Sequence, residues 1–293
     1  MQAQHRGILF IIFATLCWGS LGLLGSLLNR TGLTGTQVAT LRIVIAAAIL
    51  CLLLPYFYRL ARHLTISNVP MWCVQSLIGM LGMSMFYFAA VSRIGVSLSV
   101  ALLYTAPIWS LLFSRLILHE IISKRAMILT IIAALGVAFS MAGKSSLDIL
   151  GIVFGLASGM CYALYGVLGK RVMNNTPPML LLFSSVSISA IVLLMLPATH
   201  TTLQQFIALP VSAWFTAIAL AFVGTILAFA AYIKGLQSMP ASKAAIFTVF
   251  EPLTAVLLAA WLLDEQLNQL QYLGIAMIVA VALLNTRNPK ASS

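Results

Sequence analysis

Apolar residues run through this chain in long blocks separated by short polar breaks, and inside the blocks there is no period-two alternation of a strand. Blocks of about 20 apolar residues suit helices crossing a hydrocarbon core of roughly 30 Å, whereas barrel strands are shorter and alternate. Ten segments can be placed, at 7–28, 34–54, 69–91, 96–117, 126–143, 148–169, 178–197, 213–234, 240–263 and 269–286. The predicted fold class is all-α, a polytopic membrane protein, because lipid leaves each backbone polar group to be paired inside its own helix. The first block follows Arg6 but is too long for a signal peptide and has no small-residue cleavage site behind it.

The blocks repeat. From Gly7, GILFIIFATLCWGSLGLLG matches GIVFGLASGMCYALYGVLG from Gly151 at a shift of 144, which lays Cys17 on Cys161, Trp18 on Tyr162, Gly22 on Gly166 and Gly25 on Gly169. At a shift of 145, Gly95 to Glu120 falls without a gap on Pro240 to Glu265, pairing Pro107 with Pro252 and Glu120 with Glu265. The expected units are residues 1–143 and 148–286, five segments each, followed by a short tail at 287–293. Five is odd, so the second unit enters the membrane from the opposite side. That is the inverted-repeat plan, in which a midplane site between the units opens to each face in turn.

Composition agrees, at 62% hydrophobic and 7% charged residues. The net charge of +11 would suit nucleic acid, but the basic residues stand singly or in pairs at segment ends, the positive-inside pattern. With the N-terminus in the cytoplasm the inner set is Arg6, Arg59, Arg62, Arg115, Lys124, Arg125, Lys170, Arg171, Lys234, Lys243, Arg287 and Lys290, against Arg30, Arg93 and Lys144 outside. Both termini are then cytoplasmic, the location is the cytoplasmic (inner) membrane, and no nucleic-acid partner is expected. Cys17, Cys51, Cys73 and Cys161 lie inside apolar blocks without metal-type spacing, so no disulfide, metal or cofactor is expected. The four histidines, His5, His63, His119 and His200, and the acidic residues Glu120, Asp148, Asp264 and Glu265 fall in tails, loops or segment ends. That distribution argues against an intramembrane enzyme.

Pro107 and Pro252 fall near the middle of their segments, where each removes an N–H and is expected to free the carbonyl of Leu103 or Thr248. Matched interruptions in two halves point to a polar cavity, the alternative being kinks used for packing. Arg42 and Glu251 are charges inside apolar blocks, and their repeat partners are Val186 and Ala106. A charge at a helix centre costs roughly 2.5–3.5 kcal/mol on insertion scales, so such groups face the interior and pair, or line a water-filled path. Arg42 also lies about 12 Å along its helix from the segment end, a long reach for snorkelling. Arg42 is expected to hold a substrate carboxylate and Glu251 to be the protonatable group of a proton-linked cycle. The competing expectation is a static pair of Glu251 with Arg42 or Lys243. Trp18, Tyr87, Tyr104, Tyr162, Tyr232 and Phe250, with the two prolines and Arg42, form the expected substrate-binding set. Trp109 flanks the first proline, Trp72, Trp214 and Trp261 read as interfacial anchors, and Gly151, Gly155 and Gly159 read as a packing ridge.

The stretch EPLTAVLLAAWLLDEQLNQLQYLGIAMIVAVAL, its echo in the first half, the Trp18-Gly19 pair and the LRIVIAAAIL run around Arg42 resemble the EamA type of the drug/metabolite transporter superfamily over nearly the whole chain. The resemblance implies ten helices in two inverted five-helix repeats, both termini cytoplasmic, a central cavity, and most often export of amino acids or other small metabolites. Members commonly carry Gly-Glu at the ends of the fourth and ninth segments; here the residues are His119-Glu120 and Asp264-Glu265, which bears on the turn geometry. The expected function is a secondary transporter exporting small amino-acid-like metabolites by alternating access with protons as coupling ion. The alternative cargo is a lipophilic drug or a lipid-linked sugar.

Overall fold

The computed structural model describes residues 2–61, 69–140, 148–254, 257 and 268–286, and all regular structure among them is helical. Arg62, His63, Lys144, Trp261, Asp264, Glu265 and the tail at 287–293 lie outside the described residues. The helices are α1 (Gln2–Gly19), α2 (Leu21–Asn29), α3 (Gly35–Cys51), α4 (Leu54–Ala61), α5 (Val69–Val74), α6 (Met83–Leu103), α7 (Ala106–Ile117) and α8 (Lys124–Ser140). They continue as α9 (Ile149–Val172), α10 (Pro178–Leu194), α11 (Pro197–Ile207), α12 (Val211–Ala221), α13 (Ala228–Leu236), α14 (Ala241–Phe247), α15 (described over 250–254) and α16 (Gln269–Thr286). Five described runs are long and apolar enough to cross a membrane, and two bent pairs raise the number to seven if each is one span.

Local chemistry sets several boundaries. Thr34 and Gln37 form a reciprocal capping box at the start of α3, and the Asp148 carboxylate accepts from the Leu150 N–H at 3.2 Å to begin α9. Gly95, at φ 79°, leaves helical geometry inside α6 and separates the third expected segment from the fourth. Helices α4 and α11 fall where short loops were expected. Leu54–Leu60 turns away from α3 by 76° and Pro197–Ile207 turns away from α10 by 95°. Each carries a proline in its first turn, where the missing N–H is harmless. Leu52, Leu54, Tyr56 and Tyr58 point outward around α4, the composition of a helix lying along a membrane interface.

Packing pairs the first half with the second. Helix α6 packs on α9, and α13 with α14, which together align with α6 at the 145 shift, packs on α1; α8 meets α16 and α3 meets α10. Exchanging the halves maps this set of contacts onto itself. The symmetry reaches single residues: a Cβ on Gly7 would lie 2.7 Å from Ser238 Cβ, and one on Gly151 would lie 2.9 Å from its counterpart, Arg93 Cβ. Two π-helical stretches, Gln75–Gly82 and Phe222–Leu227, also fall in register at the 145 shift. Gly79 in the first abuts Tyr165, and Gly224 in the second abuts Leu21, the repeat counterpart of Tyr165. Such bulges leave carbonyls off the α-helical ladder and recur at functional sites.

Candidate functional site

Both proline segments are broken, though not as the sequence suggested. Helix α6 ends at Leu103, Tyr104 and Thr105 form a turn, and Pro107 sits buried in the first turn of α7 instead of mid-helix. There the Thr105 carbonyl accepts from the Ile108 N–H at 2.9 Å. In the second half α14 ends at Phe247 and the chain turns at Thr248–Val249 before α15, which carries Glu251 and the buried Pro252. The Thr248 carbonyl is not left free: the Glu251 N–H donates to it at 3.0 Å, because the turn tightens to i→i+3 spacing. Hydroxyls support both breaks, Thr105 Oγ1 donating to the Leu102 carbonyl at 2.6 Å and Thr248 Oγ1 to the Ala245 carbonyl at 2.8 Å. Gly159 of α9 lies against the first break, where a Cβ would be 2.9 Å from the Leu102 and Leu103 carbonyl oxygens.

Arg42 on α3 and Glu251 on α15 lie deep in the protein mass, yet each keeps part of its surface accessible. They interact through space and form no contact ion pair; the ion pair among the described residues is Arg93–Asp148, at 2.9 Å. The static Arg42–Glu251 pair is therefore not what the fold builds. Tyr104 from the first break and Tyr162 from α9 face the Glu251 carboxylate, and Tyr87 from α6 feels its charge. The Tyr104 and Tyr162 hydroxyls are buried but complete no hydrogen bond of ordinary geometry. Buried hydroxyls with unfilled capacity beside a carboxylate suit a polar ligand or water.

Trp18 leads an aromatic wall beside this group. Its ring centroid is 5.0 Å from Phe229, 5.4 Å from Tyr232 and 6.1 Å from Tyr162. Gly19 lets α1 approach the second break, where a Cβ would meet Thr254 at 2.5 Å and the Glu251 carbonyl oxygen at 3.0 Å. The fold thus gathers Arg42, Tyr87, Tyr104, Tyr162 and Glu251 at one place, with Trp18 and Tyr232 joined through Tyr162. Trp109 is set apart, donating Nε1–H to Thr105 Oγ1 at 3.1 Å and stacking on Phe113, while Phe250 is half-buried against the core.

Residues that sequence reasoning missed are Tyr165 and Phe229, which extend the aromatic wall, and the buried Gln75–Ser185 hydrogen bond of 2.6 Å under the first π stretch. Tyr165 aligns with Leu21, so a search for aromatics matched between the halves passes over it. A polar Gln75 inside an apolar block was the one available signal for the second.

The family model for the EamA-like transporter family matches the chain twice, at residues 5–142 and 149–287. Transporter YwfM of Bacillus subtilis (strain 168) is 26% identical over 295 residues, covering 96% of this chain and 94% of its own. The threonine/homoserine exporter RhtA of Escherichia coli (strain K12) is 24% identical, covering 98% of this chain and 92% of its own. One crystal structure superposes with a TM-score of 0.77 over 96% of both chains at 18% identity, a likeness of fold.

Proposed function

Because the chain belongs to the EamA-like transporter family, we propose that it is a secondary transporter that exports small amino-acid-like metabolites by alternating access. The observation that carries this reading is the pair Arg42 and Glu251, opposite charges held deep in the protein, within electrostatic reach of each other and not in contact. Two buried charges left apart are costly unless something of matching charge visits them. Arg42 takes the substrate carboxylate in a forked hydrogen-bonding geometry. Glu251 is the group that binds and releases a proton, with Tyr104 and Tyr162 supplying hydroxyls to its charged form. Pro107, Pro252 and Phe250 shape the breaks behind these groups, and Trp18, Tyr87 and Tyr232 supply apolar wall.

The plan that serves this cycle is ten spans in two inverted units, residues 1–143 and 148–286, with both termini in the cytoplasm. Support comes from the exchange-symmetric helix pairings and the two π stretches in matching register. The resemblance to a threonine/homoserine exporter favours amino-acid cargo. The aromatic wall around Trp18 favours a second reading, a lipophilic drug or lipid-linked sugar as cargo. Counterflow of labelled amino acids in proteoliposomes separates the two, comparing wild type with Arg42→Ala and Arg42→Lys. Amino-acid counterflow lost in Arg42→Ala supports the carboxylate role. Lipophilic cargo transported equally well by both variants, with no amino-acid counterflow, would sink it.

A further inference from the structure

We propose that Glu120 is the pin of a latch that shuts one mouth of the transport path and positions Glu251 through α14. The inference rests on the alternating-access reading. At the end of α7 the Ser114 carbonyl accepts from both the Leu118 and the Glu120 N–H at 3.1 Å, and His119 adopts a left-handed φ of 55°. That turn sends the Glu120 side chain across to the other half of the molecule. Its Oε1 accepts from the Ala241 N–H at 2.9 Å, and its Oε2 from the Ser242 hydroxyl at 2.6 Å and the Ser242 N–H at 3.4 Å. The same mouth is tied twice more from the end of α9. Arg171 donates to the Ile117 carbonyl at 3.0 Å, and the Lys170 ammonium, within electrostatic reach of Glu120, donates to the carbonyls of Leu236, Gln237 and Met239.

Helix α14 joins this cluster to the substrate site. It is seven residues long, about 10 Å, and its far end is the Thr248–Val249 turn that leads directly to Glu251. A stiff rod gripped at one end by Glu120 and carrying Glu251 just past the other cannot tilt to open this mouth without releasing the grip. Hydrogen bonds to a charged group are the strong kind, and these lie partly out of water. Among the described residues, the ties at the opposite end of α9 include the Arg93–Asp148 pair and, nearby, Gln37 to Gln205 at 2.6 Å, both exposed. In this reading the mouth held by Glu120 is the one the latch shuts, and in the proposed orientation it faces the cytoplasm.

The test uses the full chain with its four cysteines replaced by alanine and a reporter Ala245→Cys on α14, labelled by a membrane-impermeant maleimide in intact cells and in inside-out vesicles. Glu120→Gln and Ser242→Ala are each expected to raise the labelling rate in inside-out vesicles roughly tenfold, the effect of losing a charge-assisted hydrogen bond. Labelling from the outside should fall, and Glu120→Asp should restore the wild-type pattern. Ser242→Ala removes a single hydroxyl and carries the test if Glu120→Gln does not insert. Variants that lose heat stability with unchanged sidedness overturn the latch and leave Glu120 a structural cap. Sidedness is read without substrate, so a wild type that transports nothing in the amino-acid panel would fail the functional reading alone.

Discussion

Replacing Gly159 by alanine puts a methyl group against the first helix break. The new carbon would stand 2.8 Å from Thr105 Oγ1 and 2.9 Å from the Leu102 and Leu103 carbonyl oxygens. Carbon and oxygen rest at about 3.3–3.6 Å, so α9 and the end of α6 must part by roughly 0.5 Å. The Thr105 hydroxyl cannot swing aside without giving up its 2.6 Å bond to the Leu102 carbonyl. Overpacking of this kind costs about 1–3 kcal/mol. Alanine also gains helix propensity over glycine, which Gly25→Ala isolates because nothing lies within 4 Å of a Cβ at that position. The measurement is unfolding of both variants in detergent by titration with a denaturing surfactant, followed by tryptophan fluorescence. Gly159→Ala should be less stable than Gly25→Ala by about 1–3 kcal/mol. Equal stability would refute the claim that α9 presses on the break.

His119→Gly should stabilise the protein by about 0.5–1 kcal/mol, because glycine takes a left-handed φ without the 1–2 kcal/mol that other residues incur but loses more chain entropy on folding. A lower melting temperature would mean that the turn is not left-handed. Asp148, which precedes the span starting at Ile149, has its carboxyl held below the ordinary value by the hydrogen bond from Arg93. A depressed folded value contributes stability that is present at neutral pH and lost as pH falls below about 4. Asp148→Asn should therefore flatten the acid limb of the stability profile, and an unchanged limb would contradict the pair. Trp18→Ala opens the aromatic wall that Phe229 and Tyr232 complete, and should weaken apparent substrate affinity in counterflow while leaving insertion intact; unchanged affinity would place substrate elsewhere.

Much of the plan was legible because it is written in periodicity. Apolar blocks of spanning length, glycines matched at a constant shift and prolines in both halves reach the folded chain as helices, close contacts and breaks. Arg42 and Glu251 stood out because charge is rare inside an apolar block. The rest depends on geometry that residue types do not encode. No pattern announces a π stretch, since the same residues satisfy an α-helix until packing asks for an extra residue per turn. Helices α4 and α11 were hidden because Pro55 and Pro197 beside a spanning block read as breaks, and the Thr- and Gln-rich residues after Pro197 read as a loop. The separation of Arg42 from Glu251 is set by how α3 and α15 are held, which their own sequences do not state. His119-Glu120 was visible as a departure from Gly-Glu, but its meaning needed the turn: a left-handed residue aiming a carboxylate across the two halves.

The most direct test of the account is uptake of a labelled amino-acid panel into proteoliposomes, with and without an imposed pH gradient, by wild type and Glu251→Gln. The account predicts saturable, gradient-driven uptake of at least one amino acid by the wild type, and loss of the response to the gradient in the variant. Uptake indifferent to both the gradient and the substitution would contradict it.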